Sequence, residues 1–247
     1  MNRILALWAI PRSTSTAFEW MMRQRGDFIC HHEPFGEAWY FGEDARTPRP
    51  NKVGVKPGLN YASVWAALRS DAENSQLFMK EFPHYILHMA DDRFLDHFHH
   101  SFLIRDPARM LPSMYDKWPD FEVEETGYAE QHTLFDIITE RSGIAPAVID
   151  AGDLLNDPYG TVRAYCEAMH IPYKEDALSW GAGERSEVSW YDKGSWHDNL
   201  KSSTGLAPQK TNYVDITHNQ HLMSAYDACR PHYEALYQHR LRAMQSV

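Results

Sequence analysis

Pro11-Arg12-Ser13-Thr14-Ser15-Thr16 puts four hydroxyl side chains and one guanidinium directly behind a continuous apolar run at residues 4–10. A buried strand that ends in a short polar turn and a helix start makes an anion site. Backbone N–H groups in the turn converge, and the helix N-terminus adds a partial positive charge. Residues 15–25 supply that helix, with Ala17, Phe18, Met21 and Met22 recurring at helical spacing. The chemistry on offer is the holding of a phosphate-like group by amides, by the hydroxyls of Ser13, Thr14, Ser15 and Thr16, and by the charge of Arg12. A capped helix start with a solvated arginine would have the same composition. The triphosphate pattern GxxxxGK[ST] is absent: no Gly-Lys-Ser/Thr occurs in the chain.

A second cationic feature follows the apolar stretch 101–104. Arg105 ends that stretch, and Asp106-Pro107 suits a helix start, with Asp as cap and Pro at the first helical position. Ser113 stands eight residues after Arg105, about two turns into the helix. A strand-end Arg points into the crevice where open α/β sheets bind ligands, and Ser113 on the facing side could share one phosphate with it. A surface Arg–Asp pair and an unrelated helix Ser would look the same.

In this order, and about ninety residues apart by sequence position, the two features resemble the sulfotransferases that use 3′-phosphoadenosine-5′-phosphosulfate (PAPS). In that family a Pro-[Lys/Arg]-Ser-x-[Ser/Thr]-[Ser/Thr] loop holds the 5′-phosphosulfate, and Arg-[Asn/Asp]-Pro with a later Ser holds the 3′-phosphate. Val148-Ile149-Asp150-Ala151-Gly152-Asp153-Leu154-Leu155-Asn156-Asp157-Pro158 is similar to the family's late strand and following helix. Tyr191-Asp192-Lys193-Gly194-Ser195-Trp196 is similar to its Lys-Gly loop over the 3′-phosphate. The resemblance spans roughly residues 4 to 200 and points to a bacterial small-molecule branch. Arg12 replaces a common Lys, Thr14 a common Gly and Ala17 a common Trp. No Arg precedes Lys193, which shifts 3′-phosphate binding toward Arg105.

The resemblance implies PAPS as sulfuryl donor, leaving as 3′-phosphoadenosine-5′-phosphate (PAP). Binding residues would be Arg12, Ser13, Thr14, Ser15, Thr16, Arg105, Ser113, Lys193 and Gly194. Sulfuryl transfer needs in-line geometry, charge stabilisation and a base. A sulfuryl group carries less charge than a phosphoryl group, so Arg and Lys suffice and no metal is expected. Arg12 would stabilise the leaving phosphate. Lys80, at the end of residues 76–80, resembles the family Lys on the sulfuryl group. Two groups compete as base for the acceptor hydroxyl: Glu33 in His31-His32-Glu33-Pro34-Phe35, where some members place a catalytic Glu, and His84, because other members keep a His near that Lys. Glu81 is a weaker third. Cys30-His31-His32-Glu33 could also be read as a metal site, but successive strand side chains point apart. The other readings are a kinase-like phosphotransferase and a non-catalytic nucleotide-binding protein.

Positioning these groups requires strands that alternate with helices. The pattern predicts strands at 4–10, 28–30, 76–80, 101–104 and 147–150. It predicts helices at 15–25, 61–69, 84–98, from 107 with a kink at Pro112, and at 132–141, 158–169 and 219–244. Residues 42–60, with Thr47-Pro48-Arg49-Pro50 and Pro57-Gly58, and residues 181–210 read as loop. The cluster His97-Phe98-His99-His100 reads as a solvated helix end. The fold class is therefore α/β, a three-layer sandwich on a mainly parallel sheet with residues 1–247 as one domain, and the resemblance implies that it is of the P-loop nucleotide-kinase-like sulfotransferase kind. Hydrophobic residues at 43% and charged residues at 23% fit an ordinary globular chain.

A net charge of −10 argues against nucleic acid or an anionic membrane as partner. The anion site must then be local, and the expected partner is a small-molecule acceptor, with Trp39, Tyr40, Phe41, Trp118 and Phe121 as its apolar lining. The chain would work as a monomer or homodimer. Three scattered Cys and an apolar N-terminal run of only seven residues make a cytoplasmic location the default.

Overall fold

The computed structural model describes residues 4–49, 53–208 and 213–243. Pro50, Gln209, Lys210 and Met244, which the sequence places in loops and in the last helix, lie outside those residues. The apolar run becomes strand β1 (Ile4–Ala9), and all six of its residues are buried. A strand apolar on both faces belongs at the centre of a parallel sheet covered by helices on both sides, and β1 is there. It pairs in parallel with β3 (Leu77–Glu81) and with β4 (Phe98–Ile104). β2 (Ile29–His32) lies outside β3, and β5 (Ala147–Asp150) outside β4, giving the order β2-β3-β1-β4-β5 with every neighbour parallel. In the register, Leu7 aligns with Lys80, Trp8 with Phe102, and Ile104 with Asp150. All five C-terminal strand ends therefore face one edge.

The helices are α1 (Ser15–Gln24), α2 (Gly36–Phe41), α3 (Tyr61–Asn74), α4 (Pro83–Ile86), α5 (Asp92–Leu95), α6 (Pro107–Lys117), α7 (Tyr128–Ser142), α8 (Ala151–Asn156), α9 (Pro158–Ala168), α10 (Asp198–Ser202) and α11 (Gln220–Tyr237). Asp106 caps α6 by accepting from the Ala108 amide at 2.8 Å, and the helix continues through Pro112. Beneath the edge, Ile10, Met110, Leu111, Met114, Phe121, Tyr128 and Leu222 pack α6, α7 and α11 together.

Three expectations fail. Residues 84–98 form no single helix but α4, a 3-10 turn at Leu87–Met89 and α5. Ala90 breaks the run at φ −73°, ψ 51°, and Asp91 starts a new helix by capping the Phe94 amide at 2.8 Å. The His97–His100 cluster is consequently the start of β4 rather than a helix end; His97 precedes the strand, and His100 accepts from the Trp8 indole at 3.0 Å. Within 181–210, 3-10 turns at Ser186–Val188 and Asp192–His197 and helix α10 interrupt the loop.

Candidate active site

A crevice of about 1240 Å³ opens at the C-terminal strand edge and gathers Pro11–Ala17, Glu33, Lys80, His84, Arg105 and Ser113 into one cavity. Its floor is the turn between β1 and α1. Thr14 sits there at φ 73°, ψ 5°, and its carbonyl accepts from the amides of Ala17 and Phe18 at 3.1 Å each. Arg12 is left-handed too, at φ 58°. The position where Gly would be at ease keeps a glycine-like backbone although it carries a β-branched side chain, a conformation that is a genuine outlier. Ser13 differs from expectation. Its side chain is fully buried, and its hydroxyl donates to the Ile10 carbonyl at 2.7 Å, so it ties the turn rather than offering a donor to a ligand.

The two cationic features meet. Arg105 donates through one guanidinium nitrogen to the Arg12 carbonyl at 2.5 Å, and Tyr128 holds the Arg105 carbonyl at 2.7 Å. Ser113 joins Arg12 instead of Arg105: Arg12 Nε donates to Ser113 Oγ at 3.0 Å, and Ser113 donates to the Tyr213 hydroxyl at 3.2 Å. Arg12 also donates to the Trp196 carbonyl at 2.6 Å. Among the described residues no carboxylate ion-pairs with Arg12, Arg105 or Arg109. Burial lowers the pKa of Arg105, and repulsion from Arg12 and Arg109 adds to this. Charge concentrated like this at a cavity wall favours an anion.

On the β2–β3 side, Lys80 Nζ bonds Glu33 Oε1, with Lys80 1% and Glu33 7% exposed. His32 Nε2 lies 3.7 Å from the same oxygen, and His32 Nδ1 is 2.6 Å from Glu19 Oε2. Arg23 grips the other Glu19 oxygen at 2.7 and 2.9 Å. Burial alone would push Glu19 up, but the His32 charge and hydrogen bond, then Arg23 and Lys80, bring it down to about 2.

His84 lies in the crevice wall between aromatic rings, stacked on Phe82 at 5.7 Å and edge-on to Trp39 at 5.6 Å. Burial drives its pKa down to about 3. A ring that sheds its proton so readily is a poor base near neutrality. Glu81 faces inward. It is fully buried, its oxygens accept the Phe35 and Phe82 amides at 2.8 Å, and burial followed by repulsion from Glu33 raises it to about 8. It braces the chain around the crevice and does not line it.

Lys193 is exposed at φ 50° and does not line the crevice; Gly194 belongs to the same 3-10 turn. That segment instead contributes Trp190, Tyr191, Trp196 and His197. Trp39 and Tyr40 reach the lining as expected, as does Trp118, whereas Phe121 is core. The run Cys30-His31-His32-Glu33 does not gather on one point: His31 turns to Asp71 at 3.3 Å and His32 Nδ1 to Glu19, and only His32 Nε2 approaches Glu33, at 3.7 Å. Tyr213, Trp196, Glu19 and His32 carry no motif of their own. The sequence reaches Trp196 only as the end of the stretch similar to the Lys-Gly loop, and nothing in it points toward Tyr213 or the Glu19–His32 contact.

The family model for the sulfotransferase domain matches residues 2–240, and the chain belongs to that family. The Arabidopsis thaliana branched-chain-amino-acid aminotransferase-like proteins 2 and 1 are 27% and 26% identical to it over 209 and 212 residues. These alignments cover 84% of this chain but 37% of each relative, so the chain spans little more than a third of the curated proteins it matches. Among solved structures, the sulfotransferase domain of the Synechococcus PCC 7002 olefin synthase superposes with a TM-score of 0.51 at 15% identity, covering 92% of this chain and 94% of that one. That likeness supports the α/β sandwich read from the sequence. Among the described residues no helix is long and apolar enough to cross a membrane.

Proposed function

We propose that the chain moves a sulfuryl group from PAPS to a hydroxyl or amine of a small-molecule acceptor, with release of PAP. The observation that carries this reading is the group of arginines 12, 105 and 109, which among the described residues have no carboxylate partner beside a turn built like a phosphate cradle. PAPS, with an anionic group at each end, would engage both the turn at Arg12 and the guanidinium of Arg105, which line one crevice. When bound, that donor supplies the activated sulfuryl group. The amides of Ser15 and Thr16 and the hydroxyls of Thr14 and Thr16 would hold the 5′ end, and Arg105 with Ser113 and Tyr213 the 3′ end. Arg12 would neutralise charge on the leaving phosphate.

Glu33 is the better base. Lys80 and His32 both address Oε1, which leaves Oε2 for the acceptor proton, whereas His84 is a weak base in its aromatic slot. Lys80 next to Glu33 can turn toward the transferring group as charge develops there. Trp39, Tyr40, Tyr85 and Trp190 would hold the acceptor's apolar body.

The test is a thermal shift followed by a turnover screen. PAP without metal should stabilise the protein and ATP with Mg²⁺ should not, and labelled PAPS should sulfate some member of a panel of alcohols, phenols and amines. Arg105→Ala should abolish the PAP shift. Stabilisation by ATP with Mg²⁺ alone would replace this reading with the kinase-like one. PAP binding without turnover across the panel would favour a nucleotide-binding protein.

A further inference from the structure

Glu33 is the end of a buried chain of charged groups that begins on the far side of α1. Arg23 holds Glu19 Oε1, Glu19 Oε2 meets His32 Nδ1, and His32 Nε2 faces Glu33 Oε1, which also holds Lys80. Glu19 is fully buried and His32 nearly so. A helix of this kind has no packing reason to bury a carboxylate, and an isolated buried charge is costly. Its contacts say what it does. An ionised Glu19 has no proton to give, so Nδ1 of His32 must be the donor in their 2.6 Å contact. The tautomer is thereby fixed, and Nε2 becomes the nitrogen whose proton can vary. That nitrogen faces the base.

We propose that His32, oriented by Glu19, is the proton acceptor behind Glu33 during transfer. The proposal rests on the sulfotransfer reading of the site. As the acceptor oxygen bonds to sulfur, the acceptor O–H bond breaks and its proton goes to Glu33 Oε2. The electron pair of the breaking S–O bond departs with the donor phosphate. Glu33 then returns to carboxylate when its carboxyl rotates so that the oxygen carrying this same proton meets His32 Nε2 and delivers it there, and the imidazolium releases that proton to solvent at the crevice, which His32 lines. The 3.7 Å separation of Nε2 from Oε1 must close for this step; catalytic contacts commonly tighten when substrate binds. Glu19 acts through His32 and is a positioning residue.

The groups around His32 suit this task. Glu19 faces it from α1, with Arg23 on the other oxygen of that carboxylate, and Glu33, which follows it in the chain, is held by Lys80 of β3. His197 packs edge-on against its ring at 5.3 Å. Burial, then repulsion from His32, Lys80 and Arg12, lowers His197 to about 2. His197 therefore stays neutral and covers the relay without competing for its proton.

The test uses imidazole nitrogen NMR on the whole protein together with kinetics. In the wild type, His32 should keep its proton on Nδ1 across pH 5.5–8, a window of roughly the range in which His titrates. Glu33→Gln should move the Nε2 signal and leave Nδ1 in place, whereas Glu19→Gln should release Nδ1. His32→Asn keeps a donor where Nδ1 stands and removes Nε2. It should lower kcat about 100-fold, move the acid limb of the kcat profile and leave the donor KM unchanged. A proton on Nε2 instead of Nδ1 in the wild type, or an Nε2 signal indifferent to Glu33→Gln, overturns the relay whether or not an acceptor has been found. A His32→Asn enzyme with wild-type kcat and pH profile overturns it too, and a drop in thermal stability alone would mark His32 as merely structural. If the NMR outcome holds but no acceptor is sulfated, the sulfotransfer reading fails and the Glu19–His32–Glu33 coupling stands.

Discussion

Replacing Glu19 by Gln keeps the side chain's shape and removes its charge, so it measures what the buried carboxylate contributes to stability. The folded pKa of about 2 lies below the ordinary 4.5 because His32, Arg23 and Lys80 outweigh the opposing effect of burial. At roughly 1.4 kcal/mol per pH unit the gap is worth about 3 kcal/mol at neutral pH. Because the folded pKa is depressed, this stability is present above pH 4.5 and is lost as pH falls toward 2. Urea denaturation of wild type and Glu19→Gln at pH 7 should therefore differ by about 3 kcal/mol, which for a chain of this size is a Tm difference of about 6–12 °C. At pH 3.5 the difference should shrink by about 1 kcal/mol, since about one pH unit of the linkage has been spent. A difference that is constant between the two pH values, or under about 1 kcal/mol at pH 7, refutes the view that Glu19 is held ionised by its partners.

Thr14→Gly should raise stability by up to about 2 kcal/mol: relief of about 1–3 kcal/mol of left-handed strain exceeds the added freedom of Gly in the unfolded chain, about 0.5–1 kcal/mol. A thermal melt that shifts downward would show that Thr14 is not left-handed. Gly36→Ala would place a methyl 2.5 Å and 2.8 Å from Trp190 ring carbons and 3.2 Å from the Tyr85 ring. It should cost about 1–3 kcal/mol and raise the acceptor KM while the donor KM stays constant, which steady-state kinetics would read. Glu33→Gln should lose turnover by at least about 100-fold and keep the PAP thermal shift. His84→Ala should keep the wild-type pH profile, because His84 is uncharged above about pH 3; a profile that changes would restore it as the base.

What the sequence made legible was local. The turn at Pro11 declared itself because a run of apolar residues stops abruptly at hydroxyls, and β5 appeared with its observed bounds because Ala147–Asp150 is a short apolar stretch followed by capping residues. The helix expected at 84–98 failed because Tyr85, Ile86, Phe94 and Leu95 recur at helical spacing on either side of a break that only Ala90's backbone and Asp91's cap reveal. Glu19 was unreadable for a different reason. Among Phe18, Trp20, Met21 and Met22 a lone acid looks like the solvated face of an amphipathic helix, and its partner lies thirteen residues away on a strand. Lys193 resembled a loop closing over a phosphate, but spacing gives no direction to a side chain, and this one points to solvent. The same stretch reaches Arg12 through the Trp196 carbonyl, a backbone contact that leaves no trace in residue type.

The strand order carries a consequence for how such a protein can diverge. The central strand and its β4–β5 flank carry Arg12, Arg105 and Ser113 at their ends, while the β2–β3 flank carries Glu33, Lys80 and the aromatic wall. Under the proposed function, one wing of the sheet reads an invariant reagent and the other reads whatever is to be modified. Grafting foreign segments after β2 and β3 would then retarget the catalyst without rewriting its donor chemistry. Lineages or libraries built on this scaffold should accumulate their variation on that single wing.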